Sequence, residues 1–194
     1  MPQETREKII NAAINLMSLK GYSSTTTKEI AQFAGLSEMT LFRKFKNKQE
    51  ILDAVIKTYT CAFHSEKLFT NNEVTYDLET DLANVSRTYQ NFMSENKKVV
   101  LLAYKESGTH DEISETLTVN PRLMKKFLVD YLTEMEKRGK IIDTNIEVVV
   151  FSFMTMNLGY FSAQFISGKK VASVPLDAFI EHSVKVFARG LKKE

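Results

Sequence analysis

Between Thr26 and Leu52 the chain reads TTKEIAQFAGLSEMTLFRKFKNKQEIL, and no other stretch restricts the fold as tightly. Thr26 followed three residues later by Glu29 has capping-box spacing and opens a helix of about two turns, to Ala34. Ile30, Ala31 and Ala34 give that helix one inward face. Gly35 supplies a turn in which a residue with a side chain would resist positive φ. Ser37 then caps a third short helix whose core anchors are Leu41 and Phe45. A fourth begins near Lys48 and runs through Ile51, Leu52, Val55, Ile56, Tyr59 and Phe63 towards Phe69. Ahead of the stretch, Ile9, Ala13, Leu16 and Met17 recur at helical spacing until Gly21 stops them. Two short helices around a glycine, braced by longer ones, form a unit shaped to enter duplex DNA.

Charge agrees without deciding. The net charge is only +2, but residues 1–57 carry nine Lys/Arg against six Asp/Glu, and residues 58–194 seventeen against eighteen. Cys61 is the sole cysteine, so an intrachain disulfide is excluded and a cysteine metal cluster has no support. The three histidines are far apart, and His110 beside Asp111 reads as a solvated loop pair. No metal site or cofactor is expected. No paired acid and base, nucleophile constellation or phosphate loop is present, so an enzyme is not expected either. The N-terminus lacks an apolar run of signal-peptide type, and Val148 to Ile166 is broken by Ser152, Thr155, Asn157, Gly159, Ser162 and Gln164. A cytoplasmic protein without membrane partners is the expectation.

In a helix-turn-helix the first helix braces across the backbone and the second enters the major groove. Burying Leu41 and Phe45 leaves Glu38, Met39, Thr40, Phe42, Arg43 and Lys44 on or near the outer face. Arg43 is suited to guanine, Met39 to a thymine methyl, and Thr40 to a base edge or phosphate. Lys48 at a helix start combines a cation with backbone N–H groups, the makings of a phosphate clamp, and Thr27 and Lys28 can grip the backbone from the bracing helix.

The stretch REKIINAAINLMSLKGYSSTTTKEIAQFAGLS, continued by TLFRKFKNKQEIL, resembles the N-terminal DNA-binding domain of the tetracycline-repressor family of bacterial transcriptional regulators. The resemblance implies operator binding as a two-fold dimer, with Thr27, Lys28, Glu38, Met39, Thr40, Phe42, Arg43 and Lys48 at the contact positions. One departure matters: the family usually has tyrosine where this chain has Phe42, so a hydroxyl that commonly reaches phosphate is missing. The resemblance also implies a C-terminal helical domain that binds a small molecule and dimerises through its last two helices.

An all-α chain follows, with a helix-turn-helix domain at 1–47 and a helical effector-binding and dimerisation domain at 48–194. Helices are expected at Tyr76–Ser94, Lys97–Lys105, Pro121–Arg138, Thr144–Ile166 and Pro175–Arg189, with Gly108–Val119 as an irregular loop. Thirteen phenylalanines, seven tyrosines and eight methionines suit a lipophilic or aromatic effector. Phe92, Met93, Tyr104, Phe127, Tyr131, Met154, Asn157 and Tyr160 are the candidate ligand residues, with Asn157 and Tyr160 as polar handles; ordinary core packing is the alternative for each. Phe161, Phe165, Ile180, Val184 and Phe187 are the candidate dimer seam, with intrachain packing as their alternative. The expected function is a ligand-responsive repressor that binds palindromic double-stranded operator DNA as a homodimer and is released by its effector. The alternative is a helix-turn-helix activator or DNA-binding protein with no small-molecule input.

Overall fold

The computed structural model describes residues 2–62, 74–106, 108, 111–166 and 173–193, and the expected continuation of the fourth helix to Phe69, with His64 and His110, lies outside them. Among the described residues the chain is helical, with no strand and one isolated bridge between Ile141 and Lys192. The helices are α1 Pro2–Lys20, α2 Thr27–Phe33, α3 Glu38–Phe42, α4 Lys48–Ala62, α5 Leu78–Glu95, α6 Lys97–Glu106, α7 Asp111–Lys137, α8 Ile146–Phe161, α9 Leu176–Phe179 and α10 Lys185–Leu191. Wide turns of π geometry, Ser162–Ile166 and Ile180–Val184, extend α8 and join α9 to α10.

By packing, the chain forms two compact units, Met1–Phe63 with Asn96–Val119 and His64–Glu95 with Asn120–Glu194. In the first, α1 is the hub, packing against α2, α4 and α6. Its buried Ile9, Ile10, Ala13 and Met17 meet a core that includes Ile30 of α2, Ile51, Leu52 and Val55 of α4, and Val100 and Leu102 of α6. Lys98 of α6 also donates to Asn15 Oδ1 on α1. Helix α6, distant in sequence, is therefore part of the body that carries the glycine-linked helices.

In the second unit, α5 packs against α8, α10 and the 180–184 turn. Its core takes Leu82 and Val85 from α5, Leu128 and Leu132 from α7, Val150 and Phe153 from α8, and Val184 and Ala188 from the C-terminal helices. Buried Asp81 accepts from the Tyr131 hydroxyl (2.8 Å), and from the Thr75 amide (3.0 Å) and hydroxyl (2.8 Å). Burial first, and the Asp81 carboxylate second, push the Tyr131 phenol well above its ordinary range.

Three expected boundaries move. Helix α5 starts at Leu78 because Tyr76 sits in the left-handed region (φ 54°), held by Lys140 on its carbonyl and by the Arg138 guanidinium 3.6 Å from its ring. Helix α7 runs unbroken from Asp111, so most of the expected loop at Gly108–Val119 is helical and Pro121 lies inside the helix. Proline removes one N–H but keeps helical φ, and a helix of 27 residues retains its other bonds around that loss. Helix α8 begins at Ile146, capped by Asn145, and ends at Phe161 before the wide turn.

Replacing Tyr131 by phenylalanine leaves one Asp81 oxygen without its buried donor. Urea unfolding should show a loss of about 1–3 kcal/mol. Tyr160→Phe, which removes a hydroxyl bonded at a partly exposed position, should cost clearly less.

Candidate nucleic-acid interface

The turn between α2 and α3 is built as its residues dictate. Thr26 caps α2 by accepting from the Glu29 amide (3.2 Å), while the Glu29 carboxylate takes the Thr26 amide (2.9 Å). Lys20 also pairs with Glu29, and this contact with the Thr26 bonds holds the Glu29 carboxyl at about 2, so the cap stays ionised well into acid. Gly35 takes φ +69°, and Ser37 caps α3 by accepting from the Thr40 amide (3.2 Å). Leu41 and Phe45 are buried, with the Arg6 guanidinium 5.0 Å from the Phe45 ring.

What remains outside is a short reading face. Met39 is 66% exposed and Phe42 48%, two large apolar groups at i and i+3 of one helix. Arg43 is exposed beside them, one guanidinium nitrogen 3.8 Å from the Met39 sulfur. The Thr40 hydroxyl lies 2.9 Å from that of Ser37. Lys28 on the bracing helix and Lys46 after the reading helix are exposed, and Lys44 is half-buried.

Three members of the expected set, Thr27, Glu38 and Lys48, are engaged within the protein. Glu38 accepts from the Thr27 hydroxyl (2.8 Å), tying the start of the reading helix to the start of the bracing helix. The Lys48 amine donates to the carbonyls of Tyr22 (2.9 Å), Thr25 (2.9 Å) and Ser23 (3.4 Å), and lies 4.2 Å from the Tyr22 ring. Asn47 Oδ1 takes the Glu50 amide (2.8 Å) at the start of α4, and Glu50 Oε2 takes the Lys46 amide (2.6 Å). A carboxylate beside the first turn of α4 opposes a phosphate there. In this structure Lys48 therefore anchors the loop between α1 and α2. Sequence spacing shows a lysine at a helix start but not the carbonyls that fold back over it.

The comparisons with known proteins point the same way. The family model described as "Bacterial regulatory proteins, tetR family" matches residues 9–55. The chain is 32% identical over 190 residues, covering 98% of each protein, to the uncharacterized HTH-type transcriptional regulator YvkB of Bacillus subtilis (strain 168). The chain belongs to the TetR family. The tetracycline repressor protein class D of Escherichia coli is 34% identical over 68 residues, 35% of this chain and 31% of that protein. Among solved structures, the transcriptional regulator FadR from Bacillus subtilis in complex with stearoyl-CoA has the same fold (TM-score 0.74, 18% identity, covering 95% of this chain and 98% of that one). The protein is thus a helix-turn-helix DNA-binding regulator of transcription, a class whose work is binding.

The second unit of this TetR-family chain distributes the expected ligand residues unevenly. Asn157 is fully buried, with its side-chain amide on the Phe153 carbonyl (3.0 Å) and Gln90 Nε2 donating to its backbone oxygen (2.8 Å) and its Oδ1 (3.3 Å). Tyr160 stacks on Phe179 (4.4 Å) and donates to the Val174 carbonyl (2.9 Å). Met93 and Tyr131 are buried, Phe92, Phe127 and Met154 half-buried, and Tyr104 is exposed on α6, within the first unit. Two buried polar atoms of α5 were missed from sequence: Ser86 Oγ and Gln90 Oε1, one turn apart, have no hydrogen-bond partner among the described residues. A polar pair four apart on an otherwise apolar face was the available signal.

The expected seam divides too. Phe161, Ile180 and Val184 are buried in their own protomer, the Phe161 ring tilted against that of Phe165 (5.0 Å), and Phe187 packs on Phe153 (5.7 Å). The apolar groups left outside are Val148 (57% exposed), Phe151 (67%) and Leu158 on α8 and Val186 on α10.

Lys48→Met keeps the stem and removes three hydrogen bonds. It should lower stability towards urea by about 1–3 kcal/mol while leaving the salt dependence of DNA binding unchanged. Unaltered stability with a salt slope reduced by about one would instead make Lys48 a phosphate contact.

Proposed function

We propose that this TetR-family regulator is a ligand-responsive repressor that binds a palindromic operator as a homodimer in the cytoplasm. The observation that carries the DNA reading is the division of α3 between buried Leu41 and Phe45 and outward Met39, Phe42 and Arg43. Arg43 offers two donors to guanine N7 and O6, and Met39 and Phe42 offer apolar surface to thymine methyls. Lys28, Thr40 and Lys44 position the head on phosphates and sugars, while Thr27, Glu38 and Lys48 hold the head itself. Without the hydroxyl of the usual tyrosine, Phe42 contributes van der Waals contact, and the face leans towards methyl groups.

Dimerisation is supported by the stripe on α8. The segment Ile146–Ile166 is long and apolar enough to cross a bilayer by length and composition, yet only 22% of its apolar window is buried in the protomer. Val148, Phe151, Thr155 and Leu158 follow helical spacing along the uncovered side, and Val186 continues the surface from α10. Charged neighbours argue for a second copy over lipid: Glu147 pairs with Lys125 at one end, and Glu181 pairs with Lys185 on the turn leading into α10. A two-fold seam covers the stripe on both chains at once.

An effector is supported by Ser86 Oγ and Gln90 Oε1. Each unmatched buried polar atom costs about 1–3 kcal/mol, and a lipophilic molecule bearing one hydrogen-bond donor would recover that cost. FadR, of the same fold, was solved with stearoyl-CoA, so lipophilic acyl compounds are the first class to try. Such a ligand releases DNA only if it binds the off-DNA arrangement more tightly.

Selection of duplexes from a random pool should enrich palindromes with half-sites one helical turn apart, and affinity should fall steeply with salt. Replacing thymine by uracil at the base facing Met39 should weaken binding by about 0.8 kcal/mol, roughly fourfold, and Met39→Ala should abolish that sensitivity. Failure to enrich any duplex would end the operator reading.

A further inference from the structure

We propose that Glu106, which lies far beyond the residues matched by the family model, is a positioning residue of the DNA-reading head. The inference rests on the reading of α3 as the DNA-facing helix. Glu106 is the last residue of α6 and only 9% exposed, and its Oε1 accepts the Tyr22 amide at 3.0 Å. The bond spans 84 positions in sequence, yet both residues belong to the first compact unit. α6 itself packs against α1 and α4 there, so the carboxylate arrives on a supported helix.

The need for this acceptor comes from how α1 ends. Gly21 leaves the helix at φ +86°, its amide still bonded to the Met17 carbonyl (2.8 Å). The next amide, that of Tyr22, lies past the last turn of α1 in a part-buried position, where a donor left without an acceptor carries a cost. Glu106 meets that need. A Cβ on Gly21 would approach Glu106 Oε1 only to 3.8 Å, an ordinary contact, so glycine is required by φ and not by crowding.

Tyr22 is then gripped from opposite sides. Glu106 holds its N–H, Lys48 holds its C=O and lies over its ring, and its hydroxyl donates to Gln49 Oε1 (3.0 Å). The two contacts fall on successive peptide groups, and each, made to an ionised side chain, is stronger than a neutral bond. Downstream, buried Thr25 bonds back to the Gly21 carbonyl (2.8 Å), and the chain passes directly into the Thr26 cap and the Thr27–Glu38 tie. The direction in which α2 leaves the loop thus fixes both the backbone-gripping residues and the start of α3. Glu106 sets operator affinity from α6 without touching DNA.

The test compares Glu106→Ala and Glu106→Gln in the full-length chain. Two quantities are read: hydrogen exchange of the Tyr22 amide without DNA, and affinity for the duplex selected by the wild type. Glu106→Ala should speed Tyr22 exchange at least tenfold and weaken specific binding about tenfold relative to non-specific duplex. Glu106→Gln, which keeps an acceptor oxygen, should restore both to within about threefold. If Glu106→Ala fails to fold, Glu106→Asp, which withdraws the carboxylate by one methylene, takes its place with the same expectation. Unchanged exchange in the alanine variant overturns the proposal, as do equal losses of operator affinity in the alanine and glutamine variants. The exchange arm needs no DNA, so loss of this inference is distinguishable from failure of the wild type to enrich any duplex.

Discussion

The reading helix has five residues, Glu38–Phe42, and a helix so short has no stability of its own in water. Its existence depends on Leu41 and Phe45, whose burial contributes roughly 2–3 kcal/mol each, and on the Ser37 cap. The outward geometry of Met39, Phe42 and Arg43 is therefore a consequence of what lies beneath them. Glu38 adds a second restraint by bonding to Thr27, so reading and bracing helices are fixed at their starts as well as at their core. The loop at 21–25 supplies the third, held by Lys48 from α4 and Glu106 from α6.

Features determined by near neighbours were legible in the sequence. The Thr26–Glu29 box, Gly35 at positive φ, the Ser37 cap and the Leu41 and Phe45 anchors all follow from spacings of three or four residues, and all stand as expected. The roles of Lys48 and Glu106 were not legible, because each depends on a carbonyl or amide brought near only by the packing of α1 against α4 and α6. Pro121 misled in the same manner: the local rule reads it as a start, whereas the long helix around it absorbs the missing bond.

Helix α8 shows a different limit. It is apolar on nearly every side, so no period in the sequence says which face turns inward. The structure buries Val150, Phe153, Asn157 and Phe161 and leaves Val148, Phe151 and Leu158 uncovered. Of the seam candidates on the last two helices, Phe161 and Val184 are fully buried in their own protomer, the alternative that sequence left open for them. Asn157 is similar: its polarity marked it correctly as a group needing partners, and Gln90 and Phe153 provide them. On α5, which packs against α8, Ser86 Oγ and Gln90 Oε1 are buried without a partner among the described residues.

Reading head and uncovered stripe together support a molecule that grips two half-sites at once, and the stoichiometry of the DNA complex tests this most directly. Sedimentation of the chain on a selected palindromic duplex should show two 22.2 kDa protomers per duplex. Phe151→Glu, which places a charge in the middle of the stripe, should leave single protomers that occupy half-sites independently, with one protomer per duplex at concentrations where the wild type places two, and lose roughly hundredfold in affinity for the full palindrome. Full-affinity binding by a single wild-type protomer, or unchanged dimeric binding by the variant, would contradict the account.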